Sequence, residues 1–315
     1  MNTGKRMLAV GTAFVAAVLS LFVWRDPQDA PRPHAAEAQA VFAVNGVPAL
    51  AARRYNEAVY ATTHNAMSSH GAGFILPNQI SGLRRQLEDG VRAVMLDVHE
   101  FQGRAMLCHT YCELGGFSLV DGLVEIREFL DSHPNEVVTI ILESYVSPET
   151  LATAFADSGI LRYAHAQTPG APWPLLGDMV SNNRRLVVFT DRRTGGVPWL
   201  HNVWQFAWDT HWNVTSLDEF NCDCSRGDAS AGLMILNHFI SNPFPTPMNA
   251  ERANAESILL DRALACWRAS GRLPNFITVD YYEIGGVLSV VDRLNGMAAA
   301  PESGIKEDGP SAALS

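Results

Sequence analysis

Basic residues are scarce: Lys and Arg number 23 against 33 Asp and Glu, a net charge of -10. So acidic a chain lacks the electrostatic footprint that follows a phosphate backbone, which excludes a nucleic-acid partner. Charge of either sign is thin, at 18% of residues, while 47% are apolar; that balance excludes a disordered or collagen-like chain. No internal repeat is visible, which speaks against a solenoid or propeller. What remains is a large core in a chain of 315 residues, long enough for one α/β barrel of ~250 residues.

The long apolar run is at the start. Lys5 and Arg6 precede an uncharged stretch over 7–24, which as a helix would reach ~27 Å, about the thickness of a hydrocarbon core. The basic pair predicts a cytoplasmic N-terminus. Two readings follow: a retained membrane anchor, or a signal segment cleaved near Ala38-Gln39-Ala40. Both predict an exported chain, either membrane-anchored with its barrel outside the cytoplasm or secreted. Residues 25–41 read as a Pro/Ala linker, 42–296 as the folded domain, and 297–315 as a loose acidic tail.

The five cysteines suit export. Cys108 and Cys112 are close enough for a local disulfide, while Cys222, Cys224 and Cys266 leave a second bridge open. Cys108-His109-x-x-Cys112 also offers zinc-type ligands, but no second ligand pair at matching spacing accompanies it.

Apolar, β-branched runs recur at 58–63, 91–96, 104–107, 137–142, 186–190, 203–208, 233–236 and 276–279. Most are continuous rather than alternating, as strands buried on both faces require. Helical stripes lie between several of them. Ile80, Leu83 and Leu87 share a face that stops at Gly90; Leu119, Leu123, Ile126 and Leu130 form another behind Ser118. Ser147-Pro148 opens a third helix, and a fourth is expected over about 250–267. This alternation predicts a single irregular (β/α)8 TIM barrel, preceded by the N-terminal hydrophobic helix.

The runs end in polar residues: His64-Asn65, Asp97, His109, Glu143, Asp191, Asp209, Asn237-His238 and Asp280. In such a barrel the active site forms at the C-terminal strand ends. Two histidines on one mouth suit general acid–base catalysis near neutral pH. Asn65, Asp97 and Glu143 are hard oxygen donors of the type that holds Ca2+ or Mg2+. Arg92 and Arg192 are candidate phosphate contacts, Arg92 fitting a structural ion pair better. Trp199, Trp204, Trp208 and Trp212 suit barrel core, the substrate cleft or a membrane interface, and Asn213-Val214-Thr215 is a glycosylation sequon.

The ordered set Thr63-His64-Asn65, Gly90-Val91-Arg92 through Leu96-Asp97, Leu107-Cys108-His109, Leu142-Glu143 and Asn275 through Tyr282 resembles the X region of phosphatidylinositol-specific phospholipase C, nearest the secreted, Cys-containing PLC-like phosphodiesterases. The resemblance runs from about Tyr55 to Gly296. It implies a phosphodiesterase acting on a phospholipid or another phosphodiester, with His64 as base and His109 as the acid for the leaving alcohol. It implies Asp280 as the carboxylate orienting His64, and Asn65, Asp97 and Glu143 as ligands of a divalent cation, Ca2+ before Mg2+. Met95 stands where the calcium-dependent members have a further Glu, so the cation would take fewer protein ligands. The metal-independent members carry Arg and Lys where this chain has Asp97 and Glu143. The alternatives are a glycerophosphodiester phosphodiesterase, against which Asn65 stands in place of the usual Arg, and a catalytically silent barrel that binds a headgroup or glycan.

Overall fold

Strand-forming residues recur along the chain because nearly every inward and outward position must be apolar. The computed structural model describes residues 42–240 and 243–297. Its strands are β1 (Tyr60–Thr63), β2 (Ala93–Phe101), β3 (Arg104–Leu107), β4 (Phe117–Ser118), β5 (Val138–Ser144), β6 (Leu186–Thr190), β7 (Leu200–Asn202), β8 (Ala207–Asp209), β9 (Leu233–Asn237) and β10 (Phe276–Val279). Eight of them form one path, β7-β6-β5-β2-β1-β10-β9-β8, parallel at every step.

Neighbouring residues divide between two apolar layers. Tyr60, Ala93, Ile141, Phe189 and Phe276 point to the interior, with Tyr55 and Trp173, while Ala61, Val94, Ile140, Val188 and Ile277 meet the helices. Both layers are buried, which explains the continuous apolar runs. Emptying one such position, Phe276→Ala for instance, would cost ~3–5 kcal/mol.

The helices are α1 (Leu83–Asp89), α2 (Leu119–Ser132), α3 (Pro148–Asp157), α4 (Leu176–Ser181), α5 (Pro247–Ala253), α6 (Glu256–Ser270) and α7 (Val287–Asn295). Gly90 ends α1 at φ 113°, a conformation that favours glycine. Ser118 and Ser147 cap α2 and α3 by accepting from the Val120 and Thr150 amides. The helix expected over 250–267 is instead α5 and α6, broken at Asn254, whose side chain donates to the Asp280 carbonyl.

The closed TIM barrel is not formed. Strands β7 and β8, the two ends of the path, do not pair, so the sheet is an open, curled barrel. The run at 203–208 is not one strand: the Asn202 side chain accepts from the Trp204 amide at 3.0 Å, and Val203–Gln205 winds into a 3-10 turn. Nor is β3 a barrel strand. Gln102 (φ 52°) and Gly103 (φ 73°) make a two-residue reversal, so β3 returns antiparallel to the extended end of β2 and then pairs with β4.

The membrane anchor is corrected as well. Among the described residues no helix is long and apolar enough to cross a membrane. An N-terminal helix as membrane partner, and the anchored address drawn from it, therefore lack support. The run at 7–24, the linker at 25–41 and the tail beyond Met297 lie outside the described residues. The cysteines pair as Cys108–Cys112 and Cys222–Cys266, leaving Cys224 free and exposed. The first pairing removes the zinc alternative.

Candidate active site

Parallel strands deliver their C-terminal ends to one rim, and here that rim encloses a cavity of about 900 Å3. His64, Asn65, Asp97, His109, Glu143, Asp191, Asp209 and Asn237 all line it. Asp280 stands beside His64, 4% exposed. His238 goes elsewhere: it is fully buried, donates from Nε2 to the Ala253 carbonyl, and its pKa is pushed down to about 3 by burial and by Arg262.

His64 continues β1 by one residue, its amide donating to the Val279 carbonyl across the β1–β10 seam (3.0 Å). The seam sets it opposite the end of β10, and Nδ1 lies 2.9 Å from Asp280 Oδ1. Its ring stacks on Phe239 at 3.9 Å and 5°. That contact and the carboxylate fix the imidazole plane.

His109 leaves β3 inside the loop closed by Cys108–Cys112. Its Nδ1 donates to Asp97 Oδ2 at 2.9 Å. The hydrogen bond to Asp97 raises the His109 pKa above the ordinary imidazole value; burial opposes this, and the charges of Asp97, Glu143 and Asp280 add to it.

Asn65 joins the two pairs. Its amide nitrogen faces Asp97 Oδ1 and Oδ2 at 3.1 and 3.2 Å, because the reverse orientation would press its oxygen against the carboxylate. The amide oxygen then lies 3.3 Å from His64 Nε2 and 3.1 Å from His109 Nδ1. Asn65 (φ 44°), Thr110 (φ 60°) and Tyr281 (φ 47°) are all left-handed, and each directly follows one of His64, His109 and Asp280. Such strain in non-glycine residues gathers where a site over-determines the backbone.

Two of the three expected cation ligands have protein partners of their own. Asp97 is engaged by His109 and Asn65, and Glu143 accepts from the Tyr145 hydroxyl. Among the described residues no group of three or more His, Cys, Asp or Glu is arranged to hold a metal ion. To hold a hard cation, Asp97 and Glu143 would have to exchange these N–H and O–H partners for it, and no step below passes through one.

The rest of the cavity was poorly marked in the sequence. His99 lines it, two residues beyond Asp97 on β2, and stacks on Tyr145 at 4.3 Å; strand alternation from Asp97 is the signal that would have found it. Arg226 reaches the wall from the segment after β8 and donates from Nε to the fully buried Asp209 Oδ2 at 3.0 Å, which also accepts from Asn237 Nδ2 at 3.0 Å. Its guanidinium lies 4.8 Å from the Trp204 ring and 5.8 Å from that of Trp212. Ile75, Leu76, Tyr111, Leu114 and Phe244 are exposed, large and apolar on the same cavity. The other tryptophans stay structural, Trp208 buried and Trp199 packed on Phe155. Arg92 pairs with Glu136 at 2.7 Å, as its structural reading requires; Arg192 pairs with Asp191 over the Tyr145 ring, outside this cavity.

The PI-PLC X 1 family model matches residues 50–295. A PI-PLC X domain-containing protein of Arabidopsis thaliana is 31% identical over 281 residues, covering 80% of this chain and 64% of its own length, so the chain spans under two thirds of that relative. PI-PLC X domain-containing protein 1 of Arthroderma benhamiae is 28% identical, with 80% of this chain and 89% of the relative covered. Among solved structures, a mutant of the phosphatidylinositol-specific phospholipase C from Staphylococcus aureus aligns at TM-score 0.52 and 14% identity, covering 78% of this chain and 95% of that one. At that identity the likeness shows the fold alone.

Proposed function

Because this chain belongs to the PI-PLC X family, we propose that its cavity is a phosphodiesterase site that cleaves a phospholipid with a hydroxylated headgroup through a His64/His109 acid–base pair. One observation carries the reading: the two imidazoles line one cavity, and each is held through Nδ1 by its own carboxylate, Asp280 and Asp97. That leaves both Nε2 atoms for proton transfer.

In this mechanism a headgroup hydroxyl next to the phosphate attacks phosphorus while His64 Nε2 takes its proton. The new O–P bond forms as the bond to the lipid alcohol breaks, and His109 gives its Nε2 proton to the departing oxygen. The products are a cyclic phosphodiester and a free alcohol. The imidazolium formed on His64 is matched at both nitrogens, Nδ1–H by Asp280 and Nε2–H by the Asn65 oxygen. The site is thus complementary to the charge that develops during reaction rather than to the resting ring. The raised His109 pKa favours the protonated form that an acid requires. Trp204, Trp212, Arg226 and Asn237 offer stacking faces and donors suited to a polyol, and the exposed apolar residues suit the lipid side.

The test is turnover of phosphatidylinositol against phosphatidylcholine, whose headgroup has no hydroxyl to attack, with products read by phosphorus NMR. A cyclic inositol phosphate from the first and nothing from the second is expected. A folded protein that turns over neither, or one that yields only an acyclic phosphate from the outset, overturns the reading.

A further inference from the structure

Two residues of the segment between β1 and α1 touch the His64–Asp280 pair, and no helical or strand pattern marks them. Asn78 Nδ2 donates to Asp280 Oδ1 at 2.9 Å, the same oxygen that accepts from His64 Nδ1. Asn78 is 1% exposed and lines the cavity. Its amide has one workable orientation, since reversal would set oxygen against the Asp280 carboxylate. In that orientation Asn78 Oδ1 is buried with no hydrogen-bond partner among the described residues. An orphaned acceptor costs stability and needs a reason.

The adjoining backbone and Gln79 grip the same seam. The Asn78 carbonyl accepts from the Tyr281 amide at 2.8 Å, and the Tyr281 hydroxyl donates to the Pro77 carbonyl at 2.6 Å. Gln79 Nε2 donates to the His64 and Val279 carbonyls at 2.8 and 3.2 Å, while its oxygen accepts from the Tyr282 amide at 3.1 Å. Residues 77–79 therefore hold the chain on both sides of Asp280 and at His64 itself.

We infer that Asn78 is the positioning residue of the His64–Asp280 pair: its donated hydrogen bond turns Asp280 Oδ1 toward His64 Nδ1 and so fixes the tautomer that leaves Nε2 open as base. Asp280 Oδ1 cannot turn away from His64 Nδ1 without leaving the Asn78 N–H unmatched, so loss of that N–H removes one constraint on the carboxylate that holds the ring. The inference rests on the acid–base reading of the cavity.

Asn78→Leu separates positioning from packing. Leucine keeps the shape, removes the donor, and also removes the orphaned oxygen. The expected result is kcat lower by about 10- to 100-fold with KM for phosphatidylinositol within about twofold, and a Tm within about 3 °C of wild type. Long-range proton–nitrogen NMR on the neutral His64 ring, assigned with His64→Gln, should show one tautomer in wild type and a mixture in the variant. Asn78→Ala is the second variant should the leucine not fold. An unchanged kcat overturns the inference, as does a loss of kcat and Tm together with the His64 tautomer unaltered. If the wild type turns over no phosphodiester, the acid–base reading falls, and the ring spectra of wild type and Asn78→Leu still decide the positioning.

Discussion

Asp97 and Glu143 are register partners across β2 and β5, yet their carboxylates serve different donors, Asp97 the His109 ring and Asn65, Glu143 the Tyr145 hydroxyl. Two adjacent carboxylates would ordinarily call for a cation between them. Here each is satisfied within its own local pair. Turnover should therefore persist in excess chelator, within about twofold of the rate with Ca2+. Loss of activity on chelation and its return with Ca2+ would show that the Asp97–His109 and Glu143–Tyr145 pairs yield to a metal, and the metal-free mechanism would be abandoned.

His109 lies in a disulfide-closed loop and its side chain is 47% exposed, so its ring contributes little packing. His109→Ala is expected to lower kcat by ~10²–10⁴-fold while circular dichroism and Tm stay at their wild-type values. A variant that keeps its turnover would remove His109 from the acid role.

The pH dependence follows from Asp97. Its hydrogen bond raises the His109 pKa, so the acid form survives to higher pH than an isolated imidazole would, and kcat/KM should fall only as pH climbs through that raised value. Asp97→Asn removes the charge and should move this alkaline limb to lower pH. The sign for folding is the same: the pair stabilises fully below the unfolded imidazole value of about 6.5 and loses that contribution as pH rises through the folded one. Urea midpoints of wild type and Asp97→Asn should thus differ more at pH 5 than at pH 9. A limb that stays in place in the variant would assign it to another group.

Both histidines and their two carboxylates are legible in the sequence because each ends or follows an apolar run; parallel strands bring His64, Asp97 and Asp280 together, while His109 arrives on the antiparallel return of β3. What the runs did not reveal was connectivity. The run at 104–107 has strand composition whether it lies in the barrel or folds back, and only the left-handed Gln102-Gly103 reversal decides. Val203–Gln205 is as apolar as its neighbours, and one side-chain bond from Asn202 turns it. Asn65 and Asp97 are legible as polar donors, but their hydrogen bonds to the histidines and to each other are not, since a sequence shows donor type and not which hydrogen faces it. Asn78 and Arg226 lie in irregular segments, where no periodicity singles them out.

Trp212 is 45% exposed and shares the cavity wall with Arg226. Removing its ring should leave the core untouched while taking away a face for the headgroup. Trp212→Ala is expected to raise KM for phosphatidylinositol about 3- to 10-fold, equivalent to ~0.7–1.4 kcal/mol of binding, with kcat little changed. A fall in kcat alone would place Trp212 against the reacting phosphate instead.

The two disulfides should differ in their effect on stability because they close very different loops. Cys222–Cys266 spans 44 residues and ties the segment carrying Arg226 to α6, whereas Cys108–Cys112 spans 4. Loop-closure entropy alone assigns the first about 4 kcal/mol and the second about 2 kcal/mol. Replacing Cys222 and Cys266 by Ser should lower the urea midpoint more than replacing Cys108 and Cys112. The activity ranking should run the other way per unit of stability lost. The short bridge frames His109, so its removal frees the acid and lowers kcat, while loss of the long bridge reaches the site only through Arg226 and acts on KM. Measured denaturation curves and kinetic constants for the two double variants test both halves, and equal effects on kcat would show that the short bridge does not hold His109 in place.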